Sequence, residues 1–309
     1  MSASAPLSAA PSALELPDSP EAVAEALGEV GYLSDTGLST VTYLALALQR
    51  PLLLEGEPGT GKTALAEALA LTCGIPLIRL QCYEGIDATQ ALYDWDFTRQ
   101  ILHLRAAEAS GSGAAAPEGT AELERSLFDE RFLLARPILR ALKESPAVLL
   151  VDEIDRADDE FEAFLLEVLS TNQVTIPELG TITAAVPPIV VLTSNRTREL
   201  HDALKRRCLY HWIEHPGLAR EVQILRTRLP DVDAQLAAQV AAVIAELRRG
   251  ADMHKPPGVA ESLDWARALH QLGAQTIDLE SAAATIGAIC KYREDIERVR
   301  ATLDVLLTT

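Results

Sequence analysis

The chain has 309 residues, of which 48% are hydrophobic and 5% aromatic, and its formal net charge is −18. Such an acidic chain is repelled by nucleic-acid phosphates, and no long run of Lys or Arg offsets the charge. The composition therefore argues against a nucleic-acid-binding protein, and the length suits two domains better than one.

The four cysteines are scattered without a C-x-x-C pair, which argues against a disulfide framework or a structural zinc site. No apolar stretch approaches the roughly 20 residues of a membrane span. The start of the chain lacks the basic and apolar regions of a signal peptide. We therefore expect a soluble, cytoplasmic protein with reduced thiols.

The first part of the chain predicts a tail followed by two helices. Residues 1 to about 20 are rich in Ala, Ser and Pro and are expected to be disordered. A helical pattern begins at Glu21, breaks between Gly28 and Gly37, and resumes from Leu38 to Gln49.

A phosphate-binding motif follows the apolar run Pro51–Leu54, and its residues are Gly56, Glu57, Pro58, Gly59, Thr60, Gly61, Lys62 and Thr63. It matches G-x-x-x-x-G-K-[ST], the P-loop, between a predicted strand and a predicted helix. Its glycines allow a tight turn that aims backbone N–H groups at one point, where the helix dipole adds positive charge. A Gly/Pro-rich turn without function is the alternative, which the flanking elements disfavour. The sequence therefore predicts a site for a nucleoside triphosphate.

Within that site, we expect Lys62 to bind the β and γ phosphates and the Thr63 hydroxyl to coordinate Mg²⁺. The upstream segment Gly31-Tyr32-Leu33 is either a loop against the adenine base or an ordinary turn with a packed Tyr.

The region after the P-loop helix does not follow a simple alternation of strands and helices. Residues 75–80 predict a second strand, whereas Phe97, Ile101 and Leu104 have helical spacing. A Gly/Ser/Ala-rich loop tip covers 109–117. We interpret residues from about 85 to 135 as an insertion with one or two helices, after which a helix from about Pro137 to Glu144 returns to the core.

The segment Val148–Glu153 predicts a buried parallel strand that ends in two carboxylates at a ligand crevice. We interpret Asp152 as a Mg²⁺ ligand acting through water, and Glu153 as the residue that polarises the attacking water. A helix start is the alternative for this pair. Asp155, Asp158 and Asp159 are interpreted as first-turn charges of the next helix, not as ligands.

Three further elements complete this half of the chain. A helix is predicted over Glu160–Ser170, and a hairpin over about 173–184 is a candidate contact element because nucleotide chemistry does not require it. A buried strand then ends at Asn195, whose amide either orients the attacking water or caps the next helix.

We predict that this next helix starts at Thr197 and ends in Leu204–Cys208, before a last strand at Leu209–Ile213. Beyond Pro216 only helical runs remain, over 217–229, 231–249, 260–272 and 279–307. The sequence thus predicts an α/β domain over 21–215 and an all-helical domain over 216–309.

The order of these parts resembles the AAA+ ATPases, and three segments are similar more narrowly to the MoxR family. The resemblance covers about residues 25–300. It depends on the P-loop, on Asp152-Glu153-Ile154-Asp155-Arg156-Ala157 and on Thr193-Ser194-Asn195-Arg196. The segments Gln81–Gly85 and Phe161–Leu169 look like the CoxD-type branch of that family.

The resemblance implies an AAA+ core, with a parallel sheet and flanking helices, followed by a helical lid, and it implies ATP and Mg²⁺ as cofactors. Asn195 would be sensor 1. Arg206 or Arg207 would be an arginine finger that reaches the γ-phosphate of a neighbouring subunit, so a ring, most simply a homo-hexamer, is expected. The family comprises chaperone-like remodelling machines with von Willebrand factor A domain partners. The CoxD-type branch is associated with a metalloenzyme client, the copper- and molybdenum-containing carbon monoxide dehydrogenase, whose active site it matures.

One position departs from the family pattern. Members commonly carry a sensor 2 arginine at the start of a lid helix, whereas this chain has Glu261 at that position. A carboxylate there would repel the γ-phosphate, so no sensor 2 residue is assigned, and Arg267 is a candidate replacement.

We expect a Mg²⁺-dependent ATPase that remodels a partner protein. The alternatives are a non-hydrolysing nucleotide switch, which would need Glu153 mispositioned, and a nucleic-acid-associated loader, which the acidic composition disfavours. A metabolite kinase is a weaker alternative, because the helical lid offers no acceptor site.

Overall fold

A computed structural model describes residue 14 and residues 16–109, 125–250 and 253–308. Most of the predicted N-terminal tail and of the loop tip at 109–117 lies outside the described residues.

The nine described strands form one parallel sheet and two small antiparallel pairs. They are β1 (Leu52–Gly56), β2 (Leu77–Gln81), β3 (Tyr93–Trp95), β4 (Leu133–Ala135), β5 (Val148–Asp152), β6 (Gln173–Ile176), β7 (Gly180–Thr183), β8 (Ile189–Ser194) and β9 (Leu209–Ile213). The parallel sheet has the order β2-β5-β8-β1-β9. Every residue of β1 and β5 is buried, as expected for parallel strands covered on both faces.

Thirteen helices are described. In the first two thirds of the chain they are α1 (Pro20–Glu29), α2 (Thr36–Ala47), α3 (Lys62–Cys73), α4 (Ala88–Leu92), α5 (Phe97–Ala109), α6 (Pro137–Lys143), α7 (Asp159–Thr171) and α8 (Asp202–Arg207). In the last third they are α9 (Leu218–Arg228), α10 (Ala234–Gly250), α11 (Val259–Gln271), α12 (Leu279–Thr285) and α13 (Arg293–Thr308). None of the described helices is both long enough and apolar enough to span a membrane.

Alternating side chains of the parallel sheet point into two separate apolar cores. Leu52 and Leu54 of β1 pack with α1, α2 and α3 on one face. Leu53, between them, packs with α4, α6, α7 and α8 on the other face. This two-residue period follows from strand geometry. Helices therefore cover both faces of the sheet, and the carboxyl ends of the strands remain free to form a site.

The insertion contains strands that the sequence did not predict. β3 and β4 pair antiparallel, with Tyr93 opposite Ala135. Strands of three residues are too short to show an alternating pattern, so only the helical spacing of α5 was detectable. β6 and β7 form an antiparallel hairpin in which Val174 pairs with Ile182.

The last third of the chain is helical around its own apolar core. Trp265 of α11 is fully buried there, and its indole N–H donates to Thr285 Oγ1 at 2.7 Å. The predicted helix over 279–307 is wrong in one respect, because a 3₁₀ turn at Ile286–Ala288 follows α12 and separates it from α13. Ile286, Ile289 and Cys290 are buried at helical spacing across this break, so the sequence pattern conceals it. The parallel sheet and the helical C-terminal region confirm the predicted fold class.

Candidate active site

The P-loop connects β1 to α3 at the carboxyl edge of the sheet. Gly59 and Gly61 have φ angles of +79° and +96°, a left-handed conformation that favours glycine. Gly61 immediately precedes α3, so the first N–H groups of that helix face the loop. A glycine-lined turn at a helix N-terminus is a suitable cradle for phosphate groups.

Lys62 lies inside this cradle. Its side chain is buried, and Nζ donates to Gly56 O and Glu57 O, both at 2.8 Å. Burial lowers the pKa of Lys62, while the nearby carboxylates of Asp155, Glu57, Asp152 and Glu153 act in the opposite direction. Two backbone carbonyl oxygens of the loop thus hold the Lys62 side chain in place.

Asp152 is the last residue of β5, beside the P-loop, and its carboxylate accepts three hydrogen bonds. Its Oδ1 accepts from Thr63 Oγ1 at 3.0 Å and from Thr193 Oγ1 at 2.5 Å. Its Oδ2 accepts from Arg79 Nη2 at 2.5 Å. A hydroxyl next to a carboxylate is a suitable donor set for Mg²⁺, which takes its remaining ligands from phosphates and water.

Glu153 follows Asp152 in a left-handed conformation, with φ of +55°, which is uncommon for a non-glycine residue. Its backbone N–H donates to Thr193 Oγ1 at 2.9 Å. Its carboxylate accepts from Gln81 Nε2 at 3.0 Å, from Arg156 Nη1 at 3.1 Å and from Asn195 Nδ2 at 3.4 Å. The structure therefore brings the side chains of Glu153 and Asn195 together.

Asp155 corrects one sequence-based interpretation. It is buried in a 3₁₀ turn rather than exposed in a helix, and its Oδ2 accepts from Thr197 N at 2.8 Å, Thr197 Oγ1 at 2.7 Å and Asn195 N at 3.2 Å. These bonds hold the loop after β8, so the prediction of a helix starting at Thr197 is wrong. Asp158 and Asp159 do begin α7, as its N-cap and first residue.

The loop after β8 excludes the helix-cap interpretation of Asn195. α8 starts at Asp202, and its N-cap is His201, whose side chain accepts from Ala203 N. Asn195 is therefore not a helix cap, and its amide is directed to Glu153.

Thr63, Asp152, Glu153 and Asn195 line a cavity of about 790 Å³, a volume within the usual range for small-molecule sites. The segment Gly31-Tyr32-Leu33 lines it together with Arg79, His215 and the P-loop residues Pro58–Thr63. The Tyr32 hydroxyl donates to Gly61 O at 3.4 Å, and burial raises the pKa of Tyr32. Tyr32 thus packs against the P-loop and also forms part of the cavity wall.

The N-terminus of α11 contacts the P-loop directly. Val259 N and Ala260 N both donate to Gly59 O, at 2.9 and 3.3 Å. Glu261 Oε2 accepts from Gly258 N at 2.9 Å and lies 2.9 Å from the position that a Cβ on Gly59 would occupy. A carboxylate therefore stands next to the phosphate cradle.

Two basic side chains beyond β9 differ in their relation to the cavity. Arg267, the candidate sensor 2 replacement, pairs with Asp264 at 3.8 Å and is not among the described residues that line the cavity. His215 does line it, and its Nδ1 is buried without a hydrogen-bond partner among the described residues. Burial, followed by the charge of Arg248, lowers the pKa of His215 to about 4, so the ring is neutral near pH 7.

Arg206 and Arg207 are exposed at the end of α8 and are not among the described residues that line this chain's cavity. Their carbonyl oxygens accept from the guanidinium of Arg50, Arg206 O at 2.7 Å and Arg207 O at 3.1 Å. The structure fixes their backbone but leaves both side chains at the surface.

Sequence reasoning missed the roles of Arg79, Gln81 and Thr193. Arg79 and Gln81 are polar residues two positions apart at the carboxyl end of β2, so they share a face of the strand. That alternation next to a predicted ligand crevice is the signal that could have identified them.

Comparison with known proteins gives a family match. Residues 51–208 match the family described as AAA domain (dynein-related subfamily). An uncharacterized protein of Staphylococcus aureus (strain bovine RF122 / ET3-1) is 28% identical over 166 residues, which are 52% of this chain and 54% of that protein. Midasin of Giardia intestinalis is 50% identical over 48 residues, 16% of this chain and 1% of midasin. The chain spans about half the length of the Staphylococcus relatives that it matches.

Among solved structures, the Thermotoga maritima RuvB Holliday junction branch migration motor matches with a TM-score of 0.44 and 17% identity, over 88% of this chain and 72% of that chain. The family match, in contrast, runs from the strand before the P-loop to the end of α8 and covers half of the chain. The chain therefore belongs to the dynein-related subfamily of AAA domains, a family of P-loop ATPase domains.

Proposed function

We propose that this protein hydrolyses ATP with Mg²⁺ and uses the reaction to remodel a partner protein. The observation that carries the proposal is the convergence of Thr63, Asp152, Glu153 and Asn195 beside the P-loop, at one edge of the sheet. Three of these four residues lie at or immediately after the carboxyl ends of the neighbouring strands β5 and β8, where ligands bind in open α/β sheets.

Each residue would have a distinct task. The P-loop N–H groups and Lys62 would hold the phosphates, and Thr63 with Asp152 would hold Mg²⁺, which neutralises phosphate charge. Glu153 would orient the attacking water and accept its proton, while Asn195 holds one carboxylate oxygen of Glu153. Thr193 would support both residues, because its hydroxyl donates to the carboxylate of Asp152 and accepts from the backbone N–H of Glu153.

The test compares ATP turnover and ATP binding in Glu153→Gln and Lys62→Ala. Glu153→Gln should retain binding and lose about 100-fold or more in turnover, the usual contribution of a general base. Lys62→Ala should weaken binding. Glu160→Gln, an exposed carboxylate on α7, is the matched control and should behave as wild type.

Unchanged turnover in Glu153→Gln would remove that residue from the mechanism. Tight ATP binding without turnover in the wild-type protein would instead favour the non-hydrolysing switch.

We further propose a narrower identity, a MoxR-type ATPase of the CoxD-like branch that acts in the cytoplasm as a chaperone-like remodelling machine. Its support is the similarity of the segment Asp152–Ala157 to the MoxR family and of the segments Gln81–Gly85 and Phe161–Leu169 to the CoxD-type branch. The proposed partner carries a von Willebrand factor A domain, and the proposed client is a molybdenum- and copper-containing carbon monoxide dehydrogenase. A pull-down with the Glu153→Gln variant and ATP tests this, since recovery of DNA-processing proteins would contradict it.

The assembly and domain division are proposals as well. We propose a homo-hexameric ring in which Arg206 or Arg207 completes the site of a neighbouring subunit; their exposure at the end of α8 supports this. We propose a domain boundary near residue 216, which is supported by the separate apolar core of the residues that follow.

A further inference from the structure

The turn after β8, residues 195–197, has a strained backbone. Arg196, its middle residue, has a left-handed conformation with φ of +56°, which is uncommon for a residue other than glycine. Such a conformation costs free energy and persists only where the surrounding structure imposes it. The residue before it is Asn195, so the Asn195 turn needs contacts that hold it in place.

Asp155 makes contacts on both sides of Arg196. Its Oδ2 accepts from Asn195 N at 3.2 Å, from Thr197 N at 2.8 Å and from Thr197 Oγ1 at 2.7 Å. Its backbone oxygen also accepts from Thr197 Oγ1 at 3.3 Å. One carboxylate oxygen therefore binds both residues that flank the left-handed one.

The carboxylate of Asp155 is committed to this turn. Asp155 is 2% exposed, and its Oδ1 is buried without a hydrogen-bond partner among the described residues. Every hydrogen bond that the structure describes for this carboxylate thus goes to the Asn195 turn. A buried carboxylate with one unpartnered oxygen is costly, so its presence calls for an explanation beyond packing.

Asp155 also belongs to the turn that carries Glu153. Glu153 immediately precedes the 3₁₀ turn Ile154–Arg156, which contains Asp155. The bond from Asn195 Nδ2 to Glu153 Oε1 is 3.4 Å, longer than the usual N–H···O distance. A small shift of the Asn195 turn would therefore separate the amide from the carboxylate.

We propose that Asp155 is a positioning residue, which fastens the Asn195 turn to the Glu153 turn so that the amide and the carboxylate act on the same water. Asp155 is not among the described residues that line the nucleotide cavity. It acts through Asn195, whose backbone it holds. This inference rests on the proposed function of the same site.

The first test measures ATP turnover and nucleotide binding of the full-length protein with Asp155→Ala. The variant should lower kcat about 30-fold, since a misplacement of about 1 Å can cost ~100-fold in rate. A fluorescent, non-hydrolysable ATP analogue should bind with Mg²⁺ within about twofold of wild type, because the change affects the water and not the phosphates.

Asp155→Asn tests whether the hydrogen bonds are what matters. Asparagine offers one acceptor oxygen in the same place, so it can accept from the same three donors. We expect kcat within about threefold of wild type. A loss as large as that of Asp155→Ala would overturn the proposal, since acceptance by this oxygen would then not position Asn195.

Thr197→Val changes the same contact from the other side and leaves Asp155 intact. It removes the hydroxyl but keeps the backbone N–H bond, and it should lower kcat about threefold. Thr302→Val is the matched control, because the Thr302 hydroxyl bonds only to carbonyl oxygens of its own helix α13 among the described residues. The control should keep wild-type turnover. If Asp155→Ala does not fold in a thermal melt, wild-type kcat in Thr197→Val overturns the proposal by itself.

A double variant separates positioning from an independent role of Asp155. If Asp155 acts through Asn195, then Asp155→Ala should cause no further loss of kcat in a protein that already carries Asn195→Ala. Additive losses would show that Asp155 acts without Asn195 and would contradict the proposal.

Glu153→Gln distinguishes this inference from the proposed function. If that variant keeps wild-type turnover, the proposed hydrolytic site itself is wrong. If it loses turnover while Asp155→Ala and Thr197→Val keep the wild-type kcat, only the role of Asp155 is wrong.

Discussion

At the scale of single residues, Arg248 of α10 makes a set of buried polar contacts outside the candidate active site. Its guanidinium donates to both carboxylate oxygens of Glu221, at 2.6 and 2.9 Å, and to Pro257 O at 2.7 Å. Ser262 Oγ donates to the same carboxylate at 2.5 Å. The side chains of Arg248 and Glu221 are 10% and 0% exposed, so the carboxylate of Glu221 has no contact with water as an alternative to Arg248.

We predict that Arg248→Met lowers the free energy of unfolding by about 3–5 kcal/mol, because it leaves Glu221 buried and unpaired. The neighbouring Arg249 pairs with Glu246 at 2.6 Å but is 68% exposed. Arg249→Met should therefore cost less than about 1 kcal/mol. Urea denaturation of the two variants, followed by circular dichroism, measures the difference, and equal losses would contradict the prediction.

The candidate site shows which of its residues can be located from the sequence and which cannot. Asp152 and Asn195 could be placed because each ends or follows an apolar run, and the carboxyl ends of parallel strands converge. Asp155 could not be placed correctly, because its partners Asn195 and Thr197 lie 40 and 42 residues away in the chain. Hydrogen bonds over such separations leave no local pattern.

At the scale of elements, the contact between α11 and the P-loop depends on the absence of a side chain at Gly258. A Cβ there would lie 2.8 Å from Pro58 O and 2.9 Å from Gly59 Cα, both backbone atoms that cannot rotate away. Gly258 has φ of −86°, so alanine is acceptable to its own backbone. Alanine at position 258 is therefore expected to push α11 and the P-loop apart without straining its own backbone.

We predict that Gly258→Ala weakens ATP binding about tenfold, within the 1–3 kcal/mol range typical of overpacking. A Cβ on Gly287, in the helical region, meets no atom within 4 Å, so Gly287→Ala is the control and should bind ATP normally. Equilibrium binding combined with a thermal melt separates a local effect from unfolding. Wild-type affinity in a normally folded Gly258→Ala protein would show that the contact is dispensable.

Elements with long apolar patterns were predictable, whereas short or interrupted ones were not. β5 and β8 were identified from their apolar runs, and α7 from the spacing of Phe161, Leu165 and Val168, all three of which are buried. β3 and β4 are three residues each. The order of the sheet strands was not deduced, because it is set by tertiary packing.

At the scale of the whole molecule, the proposed ring would make hydrolysis depend on the exposed end of α8 in a neighbouring subunit. The guanidinium of Arg50 bonds to the carbonyl oxygens of Arg206, Arg207 and Cys208, so the backbone there is held while the two arginine side chains remain exposed. Such an arrangement can present a cation to a second copy of the chain.

We predict that replacing Arg206 and Arg207 together with Ala preserves ATP binding and reduces turnover about 1000-fold, the lower end of arginine-finger contributions. Lys205→Ala, on the same helix, is the charge control and should retain turnover. Mixing the double variant with Glu153→Gln should restore part of the activity, because one subunit supplies the arginines and the other the glutamate. A mixture as inactive as its components would contradict a finger acting between subunits.

The hydrogen bonds from Val259 and Ala260 to Gly59 have a thermodynamic consequence for any partner. Gly59 belongs to the phosphate cradle, and its carbonyl oxygen is held by the first residues of α11. A protein that binds the helical region and shifts α11 would therefore change the affinity for ATP. Because binding free energies are reciprocal, ATP must change the affinity for that protein by the same factor. Measuring the partner's dissociation constant with and without nucleotide would therefore give the coupling free energy between ATP binding and partner binding.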